Sequence, residues 1–188
     1  MVARLGYHSV GIYELPLDPP PTLVEARLPL TFRFLELSEL DRYCAHCPQV
    51  SREEAAAFLA DGNRCFAGWL DDQLVSTGWI RRGPATIDSL GITLELAEDE
   101  AYVHNAFTGS EHRGHRALPA LGTRLANAMA EEGCRVEIAL VARDNLSGVR
   151  NAEHIGHVKT DVLSEFAVGP VHVPLAHPKA RVARFSRA

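Results

Sequence analysis

A basic turn containing one glycine joins a predicted strand to a predicted helix near the middle of the chain. The turn, GSEHRGH at 109–115, follows the strand YVHNAFT at 102–108 and precedes the helical RALPALGTRL at 116–125. The first N–H groups of a helix have no acceptor within the helix, and the helix dipole makes that end partly positive. Arg113 and Gly114 add a guanidinium group and a small backbone at the same place. The arrangement predicts a site for a phosphate or another anion.

The strand before this turn carries a tyrosine and a histidine two residues apart. Side chains alternate between the two faces of a strand, so Tyr102 and His104 share one face, and Val103, Asn105 and Phe107 are expected on the other. An imidazole with a pKa near neutrality can take a proton from an ammonium group, directly or through water. His104 is therefore a candidate general base. A hydrogen-bonded histidine of the core is the alternative interpretation.

The elements that must position these residues follow from apolar spacing. A stripe at steps of three and four residues predicts the helix after the turn: Leu118, Leu121, Leu125 and Met129. Pro119 fits the first turn of this helix, and Gly133 is placed to end it. The apolar run VEIALVA at 136–142 predicts a buried strand. A short helix is expected from Asn145 to Ile155, with Gly156 as its cap.

The flanking segments add strands and helices to this centre. LTFRFLEL at 30–37 alternates and is predicted to be the first core strand. Ser38 with Asp41, and Ser51 with Glu54, have the spacing of capping boxes, which predicts two helix starts. Further strands are expected in three places: a hairpin over 65–80 with an Asp71-Asp72 turn, ITLEL at 92–96, and residues 158–168.

The chain divides into three parts in this interpretation. Residues 1–29 are predicted to be an N-terminal extension, because Asp18 and three consecutive prolines at 19–21 favour an extended linker. Residues 30–180 are predicted to form one domain. Residues 181–188 form a basic tail that is expected to lie outside it.

Composition and charge narrow the classes of function. The 188 residues have a net charge of −5, which argues against a general binder of nucleic acid or of anionic membranes. No apolar run approaches the length of a bilayer span, and the N-terminus lacks the layout of a signal peptide. The chain is therefore expected in the cytoplasm, with no nucleic-acid or membrane partner.

The sequence gives little reason to expect a metal. Cys44 and Cys47 have the spacing of half a zinc site, but Cys65 and Cys134 do not form a second pair. The histidines near the turn match no zinc signature. No metal site is predicted.

The turn and the segments after it resemble the acyl-CoA turn of the GNAT (GCN5-related N-acetyltransferase) superfamily. TGSEHRGHRALPAL at 108–121 stands where that superfamily reads Arg-x-x-Gly-x-Gly/Ala. VARDNLSGVRNAEHIGH at 141–157 is similar to its second landmark, a strand, an asparagine, a short helix and a Gly-aromatic pair. Two positions depart from the pattern: Arg116 replaces the second glycine, and Ala152 replaces a tyrosine that serves as the acid in many members.

This resemblance implies a fold and an activity. The fold is α/β, with a mixed and mostly antiparallel central sheet that is splayed at its central strand and flanked by helices on both faces. The activity is transfer of an acetyl or longer acyl group from acyl-CoA directly to an amine. The acceptor would be a small molecule or a peptide, with a homodimer possible and no metal required. His104 and Tyr102 fall where arylalkylamine-type members carry two histidines.

The resemblance also implies which residues hold the acyl-CoA co-substrate. These are the end of the strand, the turn, the helix start and one residue of the second landmark: Ala106, Phe107, Thr108, Arg113, Gly114, His115, Arg116, Ala117, Leu118 and Asn145. Arg116 would either obstruct the phosphates or bind one of them through its guanidinium group.

Two other functions stay open at this point. The departures at Arg116 and Ala152 would also fit a degenerate module that keeps the fold and binds without catalysis. The basic turn would equally fit an enzyme that takes its acyl group from an acidic carrier protein.

Overall fold

The computed structural model describes residues 5–87, 90, 92–168, 171–176 and 185–187. The strands in the described part of the chain are β1 (Leu5–Pro16), β2 (Thr31–Phe34), β3 (Arg64–Leu70), β4 (Gln73–Arg81), β5 (Ala85–Ile87), β6 (Ile92–Leu94), β7 (Glu100–Thr108), β8 (Val136–Ala142), β9 (Val158–Val168), β10 (Val171–Ala176) and β11 (Phe185–Arg187). The α-helices are α1 (Leu40–His46), α2 (Arg52–Ala60), α3 (Ala117–Glu131) and α4 (Leu146–Ile155). Among the described residues, no helix has the length and apolar character that a bilayer crossing requires.

Eight strands form one mixed sheet in the order β10-β9-β1-β8-β7-β4-β3-β2. All neighbours in it are antiparallel except β7 and β8, which run parallel. Helices α1 and α2 pack on one face around Tyr43, Trp69 and Trp79, while α3 covers the other face with Leu121 and Leu125. A second sheet, β11-β6-β5, contributes Ala85 and Leu94 to a third apolar cluster. The predicted fold class is confirmed.

The sheet opens between its two parallel strands. Pairing between β7 and β8 runs from Glu100 opposite Val136 to Val103 opposite Ala139 and then stops. Both strands continue beyond that point, β7 to Thr108 and β8 to Ala142. The carboxyl-terminal halves of the two strands are therefore not hydrogen-bonded to each other, which is the predicted splay.

A bulge in β7 changes the predicted alternation of side chains. Asn105 has a positive φ of 46°, and the register with β4 shifts between Thr77 and Trp79. One extra residue in β7 at this bulge moves every later side chain to the opposite face. Phe107 therefore packs with the α1 and α2 cluster. The prediction that it lies opposite His104 was wrong.

The helix boundaries are mostly those predicted. Ser51 and Glu54 form a reciprocal capping box at α2, and positive-φ glycines follow α3 and α4. The first capping box was misplaced, since it joins Glu36 and Glu39 around the 3-10 turn Leu37–Glu39. The cap therefore lies two residues earlier than the predicted Ser38.

The prediction that residues 1–29 form an extension outside the core was wrong. Strand β1 lies between β8 and β9, and Ile12, Tyr13 and Leu15 are buried. Both faces of β1 are covered, so its apolar residues are not confined to alternate positions. Its partners lie more than 100 residues away in sequence, so no local turn marks the pairing.

The segment after β1 is extended as expected, but it packs along α3. The Val24 amide donates to Thr123 Oγ1 at 3.0 Å, and Glu25 forms an ion pair with Arg124 at 2.9 Å. The strand predicted over 30–37 is shorter, at Thr31–Phe34, and lies at the sheet edge.

The basic tail is also not wholly separate from the domain. Phe185–Arg187 pairs antiparallel with Ile92–Leu94 as β11. The predicted boundary at residue 180 therefore does not mark the end of the fold. Residues 177–184 and 188 lie outside the described residues.

Candidate active site

A cavity of about 630 Å³ lies where β7 ends, between the following turn and the starts of α3 and α4. Its lining comes from these four places: Ala106, Phe107 and Thr108; His112, Arg113, Gly114 and Arg116; Ala117, Leu118 and Pro119; Asn145, Ser147, Gly148, Arg150, Asn151 and His154. The cavity thus begins beside the unpaired half of β7 and extends past two helix ends.

Cationic side chains dominate the polar part of this lining. Arg113, Arg116 and Arg150 bring three guanidinium groups, and His112 and His154 bring two imidazoles. No carboxylate is among the described residues that line the cavity. A cavity with this charge in a protein of net charge −5 favours a ligand with several negative charges.

The turn before α3 presents its backbone to the cavity. Gly114 has a φ of +81°, and no heavy atom would lie within 4 Å of a Cβ placed there. Arg113 Nε donates to the Thr108 carbonyl at 3.4 Å, which ties the turn to the end of β7. The first-turn amides of α3, at Ala117 and Leu118, have no carbonyl four residues earlier within the helix. The helix start is therefore suited to an anion.

Arg116 lies at the start of α3 in a left-handed conformation. Its φ is 58° and its ψ is 23°, and its side chain makes no capping bond. This conformation costs a non-glycine residue roughly 1–2 kcal/mol, which explains why glycine would be favoured at this position. The side chain is exposed and belongs to the cavity lining.

The wall opposite the turn is one face of α4. Asn145 caps this helix, because its Oδ1 accepts from the Gly148 amide and from Ser147 Oγ, both at 2.9 Å. Asn151 and His154 continue the same face at steps of three and four residues toward the end of the helix.

Sequence reasoning left most of this face out of the candidate site. The lining residues outside the predicted set are Ser147, Gly148, Arg150, Asn151 and His154 on α4, together with Pro119 on α3 and His112 in the turn. A signal existed in the sequence, because Val149, Ala152 and Ile155 form the apolar side of α4 and the polar residues between them must form its other side.

Nine of the ten predicted cofactor residues, all in the described part of the chain, line the cavity. The exception is His115, whose carbonyl accepts from the Arg27 amide at 2.8 Å. The His115 backbone thus contacts the N-terminal segment, and His115 does not line the cavity.

The two candidate catalytic residues lie outside this lining, in an aromatic cluster on the α1 and α2 face of the sheet. The aromatic cluster consists of Phe58, Trp79, Tyr102 and His104. The His104 ring stacks on Tyr102 with centroids 5.3 Å apart and an interplanar angle of 11°. Phe58 meets the same ring edge-on at 5.2 Å. Tyr102 and His104 share a face, as predicted.

Burial controls the ionisation of both residues. Burial, together with the nearby Arg81 guanidinium, lowers the pKa of His104 to about 4. Burial also raises the pKa of Tyr102 to about 12. The imidazole is therefore neutral at neutral pH, and the expectation of a His104 pKa near 7 was wrong. The Tyr102 hydroxyl is protonated at neutral pH.

A single hydrogen bond fixes the position of the imidazole. His104 Nε2 lies 3.0 Å from Asn63 Oδ1. The Asn63 amide nitrogen in turn donates to the Phe58 carbonyl at 2.8 Å. The arrangement joins β7 to the segment that follows α2.

Ala152 has no group that could donate a proton. It lies on the core side of α4 with 6% of its surface exposed. The cavity residues with exchangeable protons nearest to it along the helix are Asn151, Arg150 and His154.

The described residues contain no group of three or more His, Cys, Asp or Glu side chains that could hold a metal ion. All four cysteines are free thiols, and burial raises the pKa of Cys65 and Cys47. Protonated, buried thiols of this kind are poor metal ligands.

Comparison with known proteins places the fold. No protein-family model matches the sequence, and no curated protein matches it. Among solved structures, a GNAT-family acetyltransferase of Novosphingobium aromaticivorans superposes with a TM-score of 0.63 at 16% identity, over 89% of this chain and 67% of that one. A GNAT-family acetyltransferase of Colwellia psychrerythraea has a TM-score of 0.64 at 12% identity, over 89% and 58%.

An aminoglycoside acetyltransferase from an uncultured soil metagenome, solved with sisomicin, is also similar. Its TM-score is 0.53 at 11% identity, over 68% of this chain and 87% of that one. The chain spans about three fifths to two thirds of the length of the two GNAT-family acetyltransferases. Identities this low carry the fold alone. This chain has the fold of the GCN5-related N-acetyltransferases.

Proposed function

We propose that the protein is an acyltransferase that moves an acetyl or longer acyl group from acyl-CoA to an amine by direct transfer. One observation carries the proposal. A cationic cavity, with no carboxylate among the described residues that line it, starts at the turn before α3 and continues along the half of β7 that is not paired with β8. The negative charge of the CoA diphosphate complements the basic turn. The extended pantetheine arm of CoA contains amides, which can form hydrogen bonds with the free edge of a strand.

The strand edge gives the arm a hydrogen-bonding surface. Beyond Val103, β7 stays paired with β4 on one side, while on the other side its backbone groups pair with no strand in the described part of the chain. Backbone N–H and C=O groups are strong hydrogen-bonding groups that need partners. Amides of a pantetheine arm lying along Ala106, Phe107 and Thr108 would supply these partners in the manner of an added strand.

In the reaction, the amine nitrogen attacks the thioester carbonyl carbon and the carbon–sulfur bond breaks. The amine loses one proton, and the departing sulfur becomes the CoA thiol by gaining one. His104 is the proposed acceptor of the amine proton, because it lies at the first residue of β7 past the splay and is neutral at neutral pH. Tyr102 supports its ring. Chemistry at the thioester needs no metal in this scheme.

The test is release of free thiol from acetyl-CoA in the presence of a panel of amines, with mass spectrometry of the products. We expect amine-dependent thiol release from the parent chain. The double variant Arg113→Ala with Gly114→Asp should lose it, because one phosphate contact is removed and a repelling carboxylate is added. Equal rates in the parent and the double variant would contradict the proposal.

A binding module without catalysis is the second candidate, and the packing of His104 favours it. The imidazole is hydrogen-bonded and packed between aromatic rings, as expected of a core residue, and Ala152 supplies no acid. CoA binding without thiol release for any amine would support this candidate. Thiol release only from an acyl carrier protein would instead support a carrier-protein donor, with the basic turn as its contact.

A further inference from the structure

The hydrogen bond between Asn63 and His104 determines which imidazole nitrogen carries the proton. The Phe58 carbonyl can only accept a hydrogen bond, so the group of Asn63 that faces it at 2.8 Å must be the NH₂. The other end of the amide, Oδ1, then faces His104 Nε2 at 3.0 Å. A carbonyl oxygen only accepts, so Nε2 must donate. The Phe58 carbonyl therefore fixes the orientation of the Asn63 side-chain amide, and with it the tautomer of His104.

The protonation of Nε2 leaves the lone pair on Nδ1. A neutral imidazole has one N–H and one acceptor nitrogen. The described residues offer Nδ1 no hydrogen-bond partner, and unlike Nε2 of His46 it is not sealed from solvent. Nδ1 is thus free to accept a proton.

We propose that Asn63 is a positioning residue that holds His104 in the Nε2–H tautomer, so that Nδ1 accepts the proton of the attacking amine. The role in the reaction rests on the proposed function, whereas the tautomer does not. Asn63 is 7% exposed and follows α2 directly, where its own amide also bonds to the Phe58 carbonyl at 2.9 Å. Its side chain therefore has little freedom to turn.

The surroundings of the ring contain few other groups that could set the tautomer. The titratable and charged groups that face it are Tyr102 on its own strand and Arg81 on β4. Helix α2 presents the uncharged Phe58, and β4 also presents Trp79. Arg81 donates to the Pro84 and Asp61 carbonyls. Asn63 is the hydrogen-bond acceptor that decides the outcome.

The test is long-range ¹H–¹⁵N NMR on the full chain labelled with ¹⁵N-histidine, with His104 assigned by the signals lost in His104→Gln. We expect Nε2 of the parent to have the shift of a protonated nitrogen and Nδ1 that of an acceptor. Asn63→Asp keeps an acceptor and adds a negative charge, so the Nε2–H form should persist and the His104 pKa should rise by about one unit or more. Asn63→Ala removes the acceptor, so a mixture of tautomers is expected.

Kinetics then tests the role in catalysis. Asn63→Ala should lower kcat/KM roughly tenfold or more, and Asn63→Asp should retain more activity and move the acid limb of the pH profile upward. Asn127→Ala is a matched control, because its amide also donates to backbone carbonyls but lies on α3. It should leave the His104 spectrum unchanged.

Two results would overturn the inference. One is an Nδ1–H tautomer in the parent, and the other is a folded Asn63→Ala variant whose His104 tautomer and pH profile match the parent. The NMR spectra also show whether each variant is folded. If Asn63→Ala does not fold, the His104 pKa in Asn63→Asp tests the inference, and a pKa equal to that of the parent would contradict it. A parent chain without acyl transfer would contradict the proposed function, while the tautomer would still be decided by NMR alone.

Discussion

The cavity beside α3 and the aromatic cluster around His104 both contact strand β7, at different positions along it. The cavity is open and cationic, and is lined by exposed arginines, a bare glycine and helix ends. The aromatic cluster is more enclosed, since Trp79 is fully buried and His104 is half-buried, and among the described residues the charge that acts on His104 is that of Arg81. The bulge at Asn105 separates the two environments along β7.

This contrast in charge and burial indicates that the cavity and the aromatic cluster have different roles. The cavity supplies long-range attraction with little packing, so its residues should contribute to ligand affinity more than to stability. The aromatic cluster excludes water and fixes ring positions, so its residues should contribute to stability and to proton affinity. Each variant below, apart from Arg116→Gly, is expected to affect one of these properties and leave the other nearly unchanged.

The largest expected effect is that of Trp79→Ala on stability. Trp79 is fully buried and donates from Nε1 to Tyr43 Oη at 2.8 Å. Its removal leaves a large cavity and an unpaired buried hydroxyl, which costs about 3–5 kcal/mol in the free energy of unfolding. Urea unfolding measures this cost. Arg150→Ala, in the cavity, should unfold like the parent, and a similar loss in both variants would contradict the division of tasks.

The pH dependence of stability should reveal the buried imidazole. Its folded-state pKa of about 4 lies below the unfolded value near 6.5, so the unfolded chain binds the proton more readily. The contribution is therefore fully present above pH 6.5 and is lost as the pH falls toward 4, by up to about 3 kcal/mol. His104→Gln, whose amide can still donate to Asn63, should reduce the difference in unfolding free energy between pH 7 and pH 4.5. An unchanged difference would mean that His104 titrates normally.

Arg150→Ala should weaken CoA binding without changing stability. A hydrogen bond between a guanidinium group and a phosphate contributes about 1.5–3 kcal/mol, and the exposed side chain has no packing role. Isothermal titration at two salt concentrations measures both the loss and its electrostatic origin. Arg143→Ala, an exposed arginine outside the cavity lining, is the matched control. Equal affinities for the two variants would remove Arg150 from the site.

Arg116→Gly is expected to change both properties in opposite directions. Glycine adopts the left-handed conformation without steric cost, so the free energy of unfolding should rise by about 1 kcal/mol. CoA should bind more weakly by about 1–3 kcal/mol if the arginine contacts a phosphate. Thermal unfolding with and without CoA measures both changes. Tighter binding in the variant would mean that Arg116 obstructs the site, as in a degenerate module.

Local patterns predicted much of this molecule. The strand, turn and helix from Tyr102 to Leu125 were recognisable because each feature depends on neighbouring residues: alternation, a glycine in the turn and a stripe on the helix. The cap at Asn145 and the end of α4 at Gly156 were predictable for the same reason. Most of the cavity lies on these elements, so most of the residues predicted to hold the co-substrate line it, and their role in binding stays a prediction.

Features that depend on distant residues were missed. Strand β1 joins the sheet through residues 136–142 and 158–168, and its sequence contains no sign of either partner. The lowered pKa of His104 arises from burial, to which Phe58 and Trp79 contribute from other elements, and from the Arg81 guanidinium on β4. The bulge at Asn105 depends on the register with β4, and a period of two cannot show it. Sequence periodicity carries no information about such contacts.

The assignment of the cavity to acyl-CoA is best tested by calorimetric titration with acetyl-CoA. The titration compares the parent chain with Gly114→Asn and Gly114→Asp. Asparagine and aspartate both tolerate the left-handed conformation of Gly114, and there is open space for either side chain. The two variants therefore differ only in charge. We predict that the parent binds, that Gly114→Asn binds nearly as well, and that Gly114→Asp binds at least about tenfold more weakly because its carboxylate faces the diphosphate. Equal affinities for Gly114→Asn and Gly114→Asp, or no binding by the parent, would contradict the assignment of this cavity to acyl-CoA.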